Sequence, residues 1–307
     1  MNPPALSLQA CLLLAVAAAA LAGTFLVWSR LIGRWRRGWP LVPYQPRRRV
    51  PWRGWDVLLV VVFYGLAVWL ATQIATMVVG AEASAPLLRP PGAGPVHPVM
   101  RLLSHGDLWV QLLAALTAVV VAPLAEECFF RVLLQGWLEA AERRRRRELP
   151  TLHRLLPFGA LPVIASSLVF AWLHARPSDI EYRLPYVTAM LVGQMVASLL
   201  ATALALGWMR LQAGATLGDL GWDARHLSSD VRTGLVAFAA VAVPTYAIQF
   251  LALNLLPEGV VADPVPLLFF ALVLGGLYYR THRIMPGLVL HGALNACSLL
   301  LWLAGAG

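Results

Sequence analysis

Three short patterns hold the ionisable residues that lie well inside the apolar runs of this chain. They are Glu126-Glu127-Cys128-Phe129-Phe130-Arg131, Phe170-Ala171-Trp172-Leu173-His174 and His291-Gly292-Ala293-Leu294-Asn295. A charged side chain at the centre of a membrane helix costs about 2.5–3.5 kcal/mol on insertion scales, so residues of this kind mark function by default. Helical spacing then gives each pattern a geometry. Glu127 and Arg131 are four apart and share a face, where an ion pair neutralises both, while Glu126 is turned by ~100° onto a neighbouring face and remains the free carboxylate. His291 and Asn295 are also four apart and point into one cavity, and Phe170 stacks one turn before His174. One carboxylate, two imidazoles and one carboxamide are sufficient to hold and deprotonate a water and to stabilise an oxyanion.

Other readings of the same residues stand beside this one. Glu126, His174 and His291 have the His2Glu composition of catalytic zinc sites, so one divalent metal ion, zinc first, is a second way to hold the water. The zincin H-E-x-x-H pattern is absent, and the residues alone leave metal-bound and hydrogen-bonded water equally open. A lone intramembrane histidine also serves as a helix–helix hydrogen-bond partner, and a Glu127–Arg131 pair also serves as a structural brace. Adjacent glutamates are harder to dismiss, because only one is easily paired on its own helix. The remaining histidines, His97, His105, His153, His226 and His282, fall in or near loops and read as solvated.

The elements that must position these groups are membrane helices. With 59% hydrophobic residues, 13% charged residues and a mean hydropathy of +0.70, the 307-residue chain is too apolar for a soluble domain, and disorder is excluded. The net charge of +9 raises nucleic acid as a partner, but placement argues against it. All 24 basic residues are arginines, clustered beside apolar segments as in Arg47 to Arg49 and Arg143 to Arg147, where they set topology and meet anionic lipid head groups. Cys11, Cys128 and Cys297 lie in apolar stretches without metal-site or disulfide spacing.

The predicted fold is all-α, a polytopic bundle of about eight transmembrane helices near residues 5–28, 56–79, 107–142, 157–175, 185–209, 233–256, 265–279 and 284–305. The first run has its arginines after it rather than before it, the reverse of a cleavable signal peptide, so it is expected to be retained with its N-terminus outside. The stretch 107–142 is long for one crossing and is expected to break or kink at Pro123. Loops assigned inside then hold 19 arginines and loops assigned outside hold 4, as the positive-inside rule requires. Residues 210–232 are too polar to span and read as a short amphipathic or irregular inside insert.

Together the three patterns resemble the CPBP family of intramembrane proteases, named for CAAX proteases and bacteriocin-processing enzymes and also known as the Abi family, in its order E-E-x-x-x-R, F-x-x-x-H and H-x-x-x-N. The resemblance covers residues 107–175 and 265–305, including the approach from Arg280-Thr281 to Pro286. It implies a catalytic membrane core over 107–307 with an inserted segment near 185–260, preceded by N-terminal helices and loops over 1–106. It also implies an intramembrane metalloendopeptidase that hydrolyses a peptide bond in a membrane-associated or hydrophobic substrate. By motif position, Glu126 activates the water with His174, while His291 and Asn295 support the water, a metal or the oxyanion. Glu127, Arg131 and Phe170 support the site. A non-catalytic scaffold or immunity-type protein, and a proton-coupled transporter, are the alternatives from other classes. The Arg-rich, Lys-free composition looks bacterial, which places the chain in an inner membrane and makes prenylated CAAX substrates unexpected.

Two features depart from the family pattern. The 116 residues between His174 and His291 exceed its usual compact core. Depth also conflicts: measured from Arg283, His291 lies ~12 Å in, whereas Glu126, measured from Arg143, lies ~25 Å in at 1.5 Å per residue.

Overall fold

Long apolar runs without water to satisfy their backbone must form helices in a bilayer, and the computed structural model is a helical bundle. It describes residues 8–42, 44–45, 50–88, 98–105, 107–148, 157–175, 180–256 and 264–305. Six helical runs are long and apolar enough to cross a membrane: Gly54–Val79, Leu108–Arg146, Leu184–Leu211, Ala224–Leu255, Pro264–Thr281 and Met285–Gly305. Two further helices, Leu8–Arg36 and the 14-residue Ala160–Leu173, occupy the other expected segments.

In chain order the helices are α1 (Leu8–Arg36), α2 (Gly54–Val79), α3 (Ala81–Ser84), α4 (Pro98–His105), α5 (Leu108–Leu116), α6 (Ala122–Glu126), α7 (Gly136–Glu148), α8 (Ala160–Leu173), α9 (Leu184–Leu211), α10 (Leu227–Leu255), α11 (Pro264–Thr281) and α12 (Met285–Gly305). A two-residue strand pair, β1 (Leu87–Leu88) with β2 (Ile180–Glu181), is antiparallel. The N-terminal helices lie against the spans between the second and third motifs, α1 on α10 and α2 on α9. The motif-bearing helices pack on one another, α8 on α11 and on the central helix (the continuous run Leu108–Glu148), and α12 on α10, α11 and the central helix. The long connection between His174 and His291 is thus accommodated at the side, with α10 lying against α12.

Of the break or kink expected at Pro123, no break occurs in the central helix. The chain stays helical from Leu108 to Glu148 because two stretches of wide π-helical turns, Thr117–Val121 and Glu127–Gln135, flank α6. Proline removes one backbone donor and crowds the preceding turn. Widening that turn absorbs the crowding, and the Ala122 N–H bonds back to the Thr117 carbonyl, five residues away.

Segments assigned to one side of the membrane meet one another. At the arginine-rich end, Arg280 donates to the Val42 carbonyl at 2.7 Å and the Gln45 N–H to the Arg280 carbonyl at 2.8 Å. Phe158 rests near Tyr279, the Ile284 N–H donates to the Gly221 carbonyl at 3.0 Å, and Arg283 pairs with Asp230 at 2.7 Å. At the other end β1 pairs with β2, and Arg101 lies 3.0 Å from Glu181. Of the insert 210–232, residues 212–223 are irregular as expected and Ala224–His226 form a 3-10 turn, but α10 already begins at Leu227, and the segment is docked rather than loose: Ala215, Leu220 and, in α10, Asp230 are all buried. Arg47 to Arg49 lie outside the described residues.

Candidate functional site

The site is built where the central helix, the end of α8 and the first half of α12 converge. Glu126 closes α6, and the π-helical stretch begins at Glu127. His174 follows the last residue of α8 in its C-terminal cap. His291 lies two turns into α12, which approaches the central helix closely because of two glycines. A Cβ at Gly287 would stand 2.7 Å from Glu127 Oε2, and one at Gly292 would stand 2.8 Å from the Val119 carbonyl oxygen. At Gly292 the obstacle is backbone and no side chain fits, whereas at Gly287 a side chain would have to displace the Glu127 carboxylate.

The two imidazoles flank Glu126. Its Oε1 lies 3.7 Å from His174 Nε2 and its Oε2 lies 3.7 Å from His291 Nε2. The far nitrogen of each ring is committed elsewhere: His174 Nδ1 donates to the Phe170 carbonyl at 2.7 Å, and His291 Nδ1 meets Glu127 Oε1 at 3.1 Å. Those bonds orient both rings so that Nε2 faces the carboxylate. Phe170, 1% exposed, stacks on His174 at 4.3 Å, and Phe270 meets His291 edge-on at 5.3 Å. The side chains of Glu126 and His174 keep 24% and 29% exposure, so this face of the site is open, whereas His291 and Glu127 are buried. Asn295, one turn beyond His291, donates to the Ala118 carbonyl at 2.7 Å.

Glu127 and Arg131 pair as expected, Oε2 to Nε at 3.6 Å with both side chains buried. The π-helical backbone and the contact with His291 change the meaning of that pair. Glu127 is shared between a guanidinium and an imidazole, so it orients His291 besides neutralising Arg131. Arg131 donates from Nη1 to Ser166 Oγ at 3.3 Å and lies 5.5 Å above the Phe170 ring, while its Nε and Nη2 have no hydrogen-bond partner among the described residues.

From Arg131 a buried polar file runs to the arginine-rich end. Ser166 Oγ is 3.4 Å from Gln135 Oε1, and Gln135 Nε2 donates to Glu139 Oε1 at 3.1 Å and to the Gly275 carbonyl at 3.0 Å. Glu139 Oε2 meets His282 Nε2 at 3.2 Å, and His282 Nδ1 donates to the Gln45 carbonyl at 2.8 Å. His282 is therefore not solvated as its loop position implied; its side chain is 9% exposed. Its positive φ of 49° fits the tight turn between α11 and α12. His226 is half-exposed beside Asp223, and that contact, aided by Arg225, holds the Asp223 carboxyl below its ordinary pKa. His97 and His153 lie outside the described residues, as does the side chain of His105.

This file was missed in the sequence, although a signal was present. Polar residues stand at 127, 131, 135 and 139, a four-residue interval that wide turns keep on one face. The file also removes about half of the ~13 Å conflict of depths. Glu139 lies level with His282, so the central helix reaches the surface turn four residues, or about 6 Å, before Arg143.

The donor chemistry of Glu126, His174 and His291 suits zinc. As placed, however, the residues do not fit a metal: among the described residues no group of three His, Cys, Asp or Glu side chains lies close enough to hold one. Cys128 and Cys297 are free.

A polytopic helical membrane protein with a Glu/His cluster at the meeting of three helices is the class that this fold and site define. Residues 108–219, a little over a third of the chain, match the family model described as Rce1-like, type II CAAX prenyl endopeptidase Rce1-like. This stretch is Rce1-like, in agreement with the resemblance its motifs carry. It contains the first two motifs and stops short of His291 and Asn295. Comparison with curated proteins and with solved structures returned no match.

Proposed function

We propose that the chain is an intramembrane endopeptidase that hydrolyses a peptide bond of a membrane-anchored or hydrophobic substrate with water activated by Glu126 and His174. The observation that carries this reading is the placement of Glu126 between two oriented imidazoles. A 3.7 Å separation is too long for a direct hydrogen bond, yet it lets one water oxygen lie within bonding distance of both Glu126 Oε1 and His174 Nε2. Glu126 takes a proton from that water as its oxygen attacks the substrate carbonyl, and returns the proton to the departing amine. The products are a carboxylate and an amine. His291 Nε2 and the second amide hydrogen of Asn295 donate to the oxyanion of the tetrahedral intermediate.

All of these steps use the chain's own groups, with no metal in the path. The Rce1-like match supports an endopeptidase and brings prenylated peptides into the set of substrates to test. The test is purified protein in detergent against a library of internally quenched peptides, some with a prenylated cysteine and some unmodified. Cleavage by wild type, lost in Glu126→Gln and unchanged by a zinc chelator, is the expected result. Loss with chelator and recovery with zinc would mean that Glu126, His174 and His291 close around a metal in the working enzyme. No cleavage, with proton-coupled flux in liposomes instead, would refute the protease reading.

A further inference from the structure

In the central helix, the first π-helical stretch ends where the Ala122 N–H bonds to the Thr117 carbonyl. If that wide-turn ladder continued by one residue, position 123 would donate to the Ala118 carbonyl. Position 123 is a proline, which has no N–H. The Ala118 carbonyl is taken instead by Asn295 Nδ2 at 2.7 Å, from another helix. A part-buried acceptor away from water favours a donor, and a carboxamide that spends one amide hydrogen on a fixed backbone oxygen has its plane and its second hydrogen fixed with it. The close approach this requires is provided by Gly292, three residues before Asn295 on the same face of α12, where any side chain would collide with the next carbonyl, that of Val119.

We infer that Pro123 is a positioning residue for the oxyanion site: by withholding a backbone donor it leaves the Ala118 carbonyl to orient Asn295. The inference rests on the proposed role of Asn295 in hydrolysis. Restoring an N–H at 123 supplies a donor on the same helix that competes for Ala118, and the carboxamide is then released to several orientations.

The test is Pro123→Ala alone and combined with Asn295→Ala, assayed on whichever quenched peptide wild type cleaves. Since losing an oxyanion donor outright costs ~10²–10³-fold in kcat, loosening one should cost about tenfold, with KM within about twofold. The melting temperature should hold or rise, because alanine suits a helix better than proline. A residue that merely braced the helix would lose stability instead. In the Asn295→Ala background, Pro123→Ala should have no further effect on kcat. An equal loss in both backgrounds, or an unchanged kcat in the single variant, would overturn the inference and leave the protease reading intact. A readout that needs no substrate is hydrogen exchange of the Asn295 side-chain amide followed by 15N NMR. One protected Nδ2 proton in wild type and none in Pro123→Ala is the expected pattern, and equal protection in both would overturn the inference. If wild type cleaves none of the peptides, it is the protease reading that fails, and the amide measurement still decides whether Pro123 sets the carboxamide.

Discussion

The central helix and α9 are both long membrane helices, and they solve the problem of packing in lipid by opposite means. From Glu127 onwards the central helix buries Glu127, Arg131, Gln135, Glu139, Glu142 and Arg146. Over its 28 residues α9 buries Ala197, Ala201 and Ala205 in a row with Ser198 as its one buried polar side chain, and packs on α2. With no water to be expelled between lipid-facing helices, close backbone approach by small residues is the ordinary route to association. Buried charge costs more than it returns for cohesion alone. Its concentration on one helix, ending at Glu126 on the open side, sets the central helix apart from α9.

Removing one partner from the polar face should have the largest effect on the folded protein. Glu127→Ala leaves Arg131 without its carboxylate and His291 without its acceptor, and breaking a buried pair costs ~3–5 kcal/mol. Lower yield and melting temperature are the signature. Glu127→Ala/Arg131→Ala should recover part of the loss, and the coupling is read from a double-mutant cycle on thermal unfolding. Additive effects would show that the pair does not act as one.

Glu126→Gln separates chemistry from packing on the same helix. The side chain keeps its shape, so the melting temperature should stay near wild type while turnover falls by ~10²-fold or more. A large stability loss would place Glu126 with its neighbour as a brace.

On α9 the expectation inverts. Ala201→Leu overfills the space that Ala201 shares with Val60 and Tyr64 of α2 and with Ala125 and Cys128 of the central helix and should destabilise by ~1–3 kcal/mol, with kcat of the folded fraction unchanged. Leu204→Ala, on the 60% exposed face of the same helix, should change stability by less than ~0.5 kcal/mol. If Ala201→Leu reduced kcat instead, α9 would be coupled to the site rather than packed beside it.

Sequence alone determined the membrane class, the eight helical segments and the residues that meet at the site. Each depends on information carried by single residues or by local spacing: the transfer cost of charge and the period of a helix. Tertiary structure decided what those residues touch. Helical spacing paired Glu127 with Arg131, but only the arrival of α12, allowed by Gly287 and Gly292, made Glu127 the acceptor for His291. Pro123 read as a break or kink because its missing donor is local, while the wide turns that absorb it and the Asn295 carboxamide that replaces it depend on a helix more than 150 residues away. His282 read as solvated because its neighbours in sequence are polar, yet Glu139 and Gln45 enclose it in space. Contacts between segments distant in the chain are absent from local periodicity, and packing alone assigns them.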